Sequence, residues 1–372
     1  MRVLHFYRTY LPESYGGVEE AIRQTCLATS RQGVENRVLT LARVRSVQTL
    51  ERPEASVIQA PLQWDPASCS MGLSLFRLYV EHARWADVVH VHYPWPFADL
   101  VHVLSRVRRP VVMTYHSDIV RQSSLERLYA PLRRLFFRQL DVVVATSPNY
   151  LESSAFLQHY RDKTTAIPLG LSPESYASPS DASRQYVMER FGAGFFLFVG
   201  VLRYYKGLDT LLEAARETGL PVVIAGTGPE HERLWQRSQA MGLDNVLFAG
   251  FVSDEIKAAL FEAARAVVFP SSLRSEAFGV TLLEGLMHGK PLISCEIGTG
   301  TSYVNQHGET GLVLPPADTP ALAHAMQTLA ADDDMAADMG SKGRERLQRL
   351  FSGDAVGSAY MALYRKLEAG GS

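Results

Sequence analysis

FFLFVGVLRYYKGLDTLLEAA, residues 195–215, runs from an apolar strand through a glycine and a basic turn into an amphipathic helix. The opening FFLFVG is too continuously apolar for a strand with one wet face, which points to a parallel sheet covered on both sides. Runs of the same kind follow at PVVIAG (221–226), NVLFAG (245–250), AVVFP (266–270), PLISC (291–295) and GLVLP (311–315). An earlier set lies at RVLHFY (2–7), NRVLTL (36–41), DVVHVH (87–92), PVVMTYH (110–116) and DVVVATS (141–147). Strands alternating with helical patterns predict βαβ units. Because the alternation restarts after residue 190, the chain predicts two Rossmann-like α/β domains in series.

A length of 372 residues agrees, since it exceeds what one hydrophobic core usually supports. Between the two sets, LGLSPESYASPSDASRQ (169–185) is rich in Ser and Pro and has no period, as an interdomain linker would be. The boundary is expected near residue 178, giving domains 1–178 and 179–352. SGDAVGSAYMALYRKLEAGGS then predicts a last helix from about 353 to 368. An apolar content of 47% and a charged content of 20% describe an ordinary globular chain. Cys26, Cys69 and Cys295 form no C-x-x-C pair, which argues against a disulfide framework and a structural zinc site and for a reducing cytoplasm. No run is apolar enough for a signal peptide or a spanning helix. Residues 1–178 hold 20 Lys+Arg against 16 Asp+Glu, so a net charge of −2 leaves the remainder at −6. Within 100–140, eight arginines face only Asp118 and Glu126.

Open α/β sheets bind ligands at the carboxyl ends of their strands, so site residues should follow the strands closely. SEAFGVTLLEGLMHGKP (275–291) follows strand AVVFP and carries Glu276 and Glu284. With a helix starting near Phe278, Glu276 sits in the loop and Glu284 about two turns into the helix. The N–H groups of Phe278, Gly279 and Val280 would then form an anion site for a diphosphate, with Gly279 allowing close approach. Arg203 and Lys206 lie in the loop after FFLFV, where two cations can clamp phosphate. The glycines of AGTGPEHERL (225–234) occupy a similar loop.

In the first domain Gly16-Gly17 opens a helix, but G-x-G-x-x-G is absent and NRVLTL ends without an acidic residue. That argues against a nicotinamide cofactor. His90 and His92 share a strand face without a third ligand at suitable spacing, so a structural or substrate-contacting role is expected rather than a metal. His116, beside Ser117 and Asp118 at a strand end, is expected to line a pocket. Asp332-Asp333-Asp334 matches a metal-binding D-x-D only by letters and is expected to be a solvated turn. RQSSLERLYAPLRRLFFRQLD (121–141) mixes arginines with Leu, Tyr and Phe at helical spacing, suiting either an anionic membrane surface or arginine stems covering a core-facing helix.

Taken together, the GG loop, TYHSD, the linker, GVLRYYKG, AGTGPE, FAGFVSDEI, SEAFGVTLLEG and HGKPLISCEIG resemble the retaining family 4 glycosyltransferases over essentially the whole chain. The resemblance implies a GT-B fold, in which two Rossmann-like domains face each other across a cleft and a C-terminal helix (353–372) crosses back to the first domain. It further implies that a nucleotide-diphosphate sugar binds mainly to the second domain. Glu276 would meet the donor sugar, Glu284 the ribose hydroxyls and Lys206 the diphosphate, with Phe251 and Val252 bordering the base. His116 and Gly17 would reach the donor from the first domain, whose cleft face takes the acceptor. Glu276, His116 and Lys206 would thus surround the reacting centre. The family usually has an arginine where this chain has Val201, and Arg203 is the nearby substitute. EIGTGTSYVNQHGETG resembles bacterial O-antigen mannosyl- and rhamnosyltransferases that use GDP-sugars.

The expectation is therefore a cytoplasmic, metal-independent, retaining transferase without a cofactor. It would move mannose or D-rhamnose from a GDP-sugar to a lipid-linked polysaccharide, with peripheral contact to the anionic inner face of the membrane and no nucleic-acid partner. A GT-B sugar-nucleotide epimerase would share the fold but release a free sugar, and an inactive glycan-assembly scaffold would be favoured by Val201 alone.

Overall fold

The computed structural model describes residues 1–66, 69–118 and 123–370, with backbone alone over 123–128. The chain divides into two compact units, Met1–Gly170 with Ser352–Ser372, and Leu171–Phe351.

The first unit holds strands β1 (Arg2–Phe6), β2 (Glu35–Ala42), β3 (Gln48–Glu51), β4 (Ser56–Pro61), β5 (Val88–Tyr93), β6 (Val111–Tyr115), β7 (Val142–Ala145) and β8 (Thr164–Ala166). They form one sheet in the order β3-β4-β2-β1-β5-β6-β7-β8. Every neighbouring pair is parallel except β3 and β4. The central strands β5 and β6 are buried along their whole length, as their unbroken apolar character requires. Strands β3, β4 and β8 are additions to the sequence reading. QTLE is a mostly exposed edge, Gln59 interrupts the apolar run of β4, and β8 is only half-buried.

The second unit holds β9 (Phe196–Val199), β10 (Val222–Ala225), β11 (Val246–Gly250), β12 (Ala266–Phe269), β13 (Leu292–Cys295) and β14 (Gly311–Leu314). All six are parallel, in the order β11-β10-β9-β12-β13-β14. From β9 the chain builds outward to β11 and then returns to lay β12 on the other side of β9. That reversal opens a crevice between the loops after β9 and β12.

The division falls at 170/171 rather than near 178. Leu171 N–H donates to Phe351 O at 2.8 Å, tying the start of the expected linker to the last residue of the second unit. The helix Asp181–Phe191 is fixed to the same unit by Arg184–Glu262 at 2.8 Å and by Ser180 and Ser183 on Glu255. Serine and proline here mark a pinned connection rather than a loose one.

The last helix, Gly353–Gly370, belongs to the first unit and packs on the helix Gly17–Ser30. Its Val356, Tyr360, Met361 and Tyr364 join Val3, Val88, Val112 and Val144 in one core cluster. The two helices approach closely at Gly357, where a Cβ would stand 2.7 Å from Ala28 O. Gly357→Val is therefore expected to push the helices apart and cost about 1–3 kcal/mol. Urea unfolding of the variant checks this, and an unchanged midpoint would contradict the tight approach.

Candidate active site

In the second unit the site grows from the loops at the crevice. Gly207, at φ 68°, lies so close to the loop after β12 that a Cβ would meet Pro270 O at 1.9 Å. That contact sets Lys206 against the β12 loop, where its ammonium pairs with Glu276. Both side chains are buried, and Ser271 Oγ donates to the same Glu276 oxygen at 3.2 Å. The lysine also lies 4.5 Å over the Phe269 ring. Of the expected residues, Lys206 and Glu276 are thus brought into direct contact across two loops separated by 70 positions.

The following helix runs Val280–Met287, two residues later than expected, because Gly279 adopts φ 88° and acts as its N-cap. No side chain caps it, so its first N–H groups face the loop end of the sheet. The amides of the helix start begin at Val280 rather than at Phe278, whose ring is buried. Thr281 Oγ1 donates to Val199 O at 3.1 Å and anchors this helix start to β9.

Glu284 consequently sits little more than one turn into the helix, not two. It is buried and pairs with Lys257 at 2.8 Å, a partner that spacing did not reveal because it comes from the helix Asp254–Ala263. Arg203 is exposed, and its guanidinium makes no hydrogen bond or ion pair among the described residues, which leaves it able to meet an anion. Val201 is also exposed. Phe251 is 74% exposed directly after β11, an unusual setting for a ring without a ligand, and Val252 beside it is half-buried. Asp332 caps the helix Asp333–Arg346 through Met335 N–H, and Asp333 pairs with Arg265. The acidic triplet is a helix cap rather than a free turn.

In the first unit, Gly17 opens the helix after β1 and is exposed. Glu19 is folded back so that a Cβ on Gly16 would touch its Oε2 at 2.5 Å, and Thr9 donates to its Oε1 at 2.7 Å. A carboxylate therefore already lies over this helix start. His116 follows β6 and is buried, which pulls its pKa down to about 3.

The expected lack of a third ligand near His90 and His92 is corrected here. His5 of β1 joins them, with one nitrogen from each ring within 4.8 Å of the others. Spacing missed it because His5 lies 85 positions before His90. These nitrogens already serve one another and the fold. His5 Nδ1 meets His92 Nε2 at 3.1 Å, and His92 Nδ1 meets His116 Nε2 at 3.0 Å. His90 spans Tyr364 and Thr114, both at 2.7 Å.

Of the arginine-rich segment, Arg121 and the side chain of Arg127 lie outside the described residues. Arg133 turns inward over Phe156 at 4.6 Å, whereas Arg134 and Arg138 are exposed beside Leu135.

Residues 16–170 match the family described as Glycosyl transferase 4-like domain, and residues 185–346 match Glycosyl transferases group 1. The D-rhamnosyltransferase WbpZ of Pseudomonas aeruginosa is 49% identical over 95% of this chain and 92% of its own. The O-antigen chain mannosyltransferase C of Escherichia coli is 43% identical over 99% of both chains. Among solved structures, a sucrose-phosphate synthase from Thermosynechococcus elongatus superimposes with a TM-score of 0.80 at 24% identity, covering 99% of each chain. The chain belongs to the group 1, family 4-like glycosyltransferases, and its fold is GT-B.

The buried histidines also set the acid behaviour of the first unit. Burial lowers His5 and His102 to about 4 and His116 to about 3, and it depresses His90 and His92 as well. These rings are neutral in the fold but take a proton near 6.5 when unfolded. The unfolded chain thus binds more protons as pH falls below about 6.5, and stability drops with it. Asp99 acts in the opposite sense: burial raises its carboxyl to about 8, so it costs stability as pH rises. Five histidines outweigh one aspartate. Unfolding free energy should fall between about pH 6.5 and pH 4 by roughly 1.4 kcal/mol per histidine per pH unit. Urea titrations across that range check it, and a flat profile would contradict the neutral assignment.

Proposed function

We propose that the chain is a retaining, metal-independent hexosyltransferase. It moves mannose or D-rhamnose from a GDP-sugar onto a lipid-linked O-antigen polysaccharide. The single observation that carries the site assignment is the Lys206–Glu276 pair at the crevice of the second sheet, beside an uncapped helix start. The substrate classes rest on the D-rhamnosyltransferase and the O-antigen chain mannosyltransferase among the relatives, and on the EIGTGTSYVNQHGETG segment.

In this reading the diphosphate docks at the amides from Val280 onward, with Lys206 and Arg203 as cations. Glu276 then faces the donor sugar. The acceptor hydroxyl attacks the anomeric carbon from the side the diphosphate leaves, so a C–O bond to the acceptor forms as the C–O bond to phosphate breaks. The hydroxyl proton passes to a departing phosphate oxygen. Cations and oriented amides stabilise the charge that develops there.

Glu284, held by Lys257, is the ribose-binding carboxylate in this reading. Glu284→Gln keeps its shape while removing its charge, and should raise donor KM with little change in kcat, a loss of about 1.5–3 kcal/mol. Steady-state kinetics with GDP-mannose and GDP-D-rhamnose test this, run with and without excess EDTA. An unchanged KM refutes the ribose role, and activity abolished by EDTA and restored by Mg²⁺ or Mn²⁺ refutes metal independence.

No helix among the described residues is long and apolar enough to cross a membrane. A cytoplasmic enzyme acting on a lipid-linked acceptor would then visit the membrane surface. Arg134 and Arg138 flank the exposed Leu135 on one helix, and each arginine near an anionic surface contributes about 1 kcal/mol. Arg134→Glu with Arg138→Glu should weaken sedimentation with anionic liposomes in a salt-sensitive way while leaving hydrolysis of the soluble donor intact. Equal binding by variant and parent would refute the membrane role.

A further inference from the structure

We propose that Asn36 of β2, three strands away from β6 on the far side of β1, sets which nitrogen of His116 carries the proton, acting through His5 and His92. His116 thereby presents an Nδ1 lone pair to the site, an acceptor for a sugar hydroxyl rather than a donor to phosphate. The role of that acceptor rests on the glycosyltransferase reading above, whereas the tautomer does not.

The geometry follows from parallel pairing. Val3 stands opposite Asn36, His5 opposite His90, and His92 opposite Thr114. Residues two apart on a strand share a face, so Asn36, His5, His92 and His116 all lie on the face covered by the last helix. Each histidine is one strand further along than the one before and two residues nearer the carboxyl ends. The rings form a diagonal chain from β2 to the end of β6, with nitrogen separations of 3.1 and 3.0 Å.

The orientation of the Asn36 amide is settled by its neighbours. Its Nδ2 faces Cys26 O at 3.1 Å, an atom that only accepts, and also Thr29 Oγ1 and Ser30 Oγ at 3.1 and 2.9 Å. Thr29 spends its own proton on Thr25 O at 2.8 Å, so it too accepts from Asn36. The amide oxygen, Asn36 Oδ1, is buried without a hydrogen-bond partner, and so is His5 Nε2. Asn36 stands diagonally across from His5 on the same face of β2 and β1, so each of these two unpartnered atoms offers the complement the other lacks. An amide oxygen can only accept, which puts the His5 proton on Nε2.

The rest is forced one ring at a time, since a neutral imidazole has one donor and one acceptor. His5 Nδ1 accepts, so His92 Nε2 donates. His92 Nδ1 then accepts, so His116 Nε2 donates and His116 Nδ1 is left with its lone pair. Burial lowers the pKa of all three rings, which keeps each of them neutral. His116 Nδ1 has no hydrogen-bond partner among the described residues, and His116 keeps 6% of its surface exposed.

Long-range ¹⁵N–¹H spectra of the full chain labelled at histidine read the tautomers directly. The expected result is Nε2–H for His5, His92 and His116. In Asn36→Leu, which removes the acceptor, the His116 signal should move to a mixture of tautomers, and kcat/KM for the sugar-nucleotide reaction should fall about fivefold to tenfold. Should that variant fail to fold, His5→Phe cuts the chain at the next link and is read in the same way. Nδ1–H on His116 in the wild type overturns the proposal, as does an unmoved His116 tautomer in a folded variant, whatever happens to activity. If no sugar nucleotide is turned over at all, the functional reading fails while the spectra still decide the relay.

Discussion

Gly207 lies where no side chain fits, with the Pro270 carbonyl occupying the space a Cβ would need. The meeting of Lys206 and Glu276 depends on this backbone contact. It brings the loop after β9 against the loop after β12, and only then can a lysine from one meet a glutamate from the other. The same crowding recurs at Gly226, whose Cβ would stand 2.0 Å from Gly200 O. These loops therefore carry glycine because their backbones pack against one another.

A buried ion pair is a poor source of stability, because stripping water from both charges offsets most of their attraction. The value of Lys206–Glu276 lies in having both charges fixed in place, with Ser271 supplying a further hydrogen bond. Glu284–Lys257 repeats the arrangement one helix away. Two buried carboxylates are thus each held by a lysine of their own. The first unit solves a similar problem differently. Its sheet and the turn after β6 bury four histidines, and each lies within hydrogen-bond distance of a neighbouring ring or of Tyr364 and Thr114. Neutral rings in such a chain cost less than charged ones would, and they transmit orientation across strands.

Much of the architecture was legible because parallel strands buried on both faces leave long apolar runs, and because ligands gather where those runs end. RVLHFY, DVVHVH, FFLFVG and AVVFP marked central strands, and Lys206, Glu276 and His116 followed three such ends. Edge strands β3 and β8 carry no such run, since one side of each has no partner strand to require it. The linker was misplaced because its composition describes the residues and not the single hydrogen bond, Leu171 to Phe351, that assigns it to the second unit.

What the sequence determined by itself is the alternation of strand and helix, the doubling of that alternation, and the residue types at the strand ends. Those depend on local periodicity and on backbone preferences that each short segment carries. Tertiary structure alone decided the partnerships: His5 with His92, Lys206 with Glu276, Lys257 with Glu284, and the helix start at Val280 rather than Phe278. These join residues up to 87 positions apart, as in His5 and His92, or turn on one positive φ at Gly279. Spacing along a chain carries no information about register between strands, and register is what sets which side chains meet.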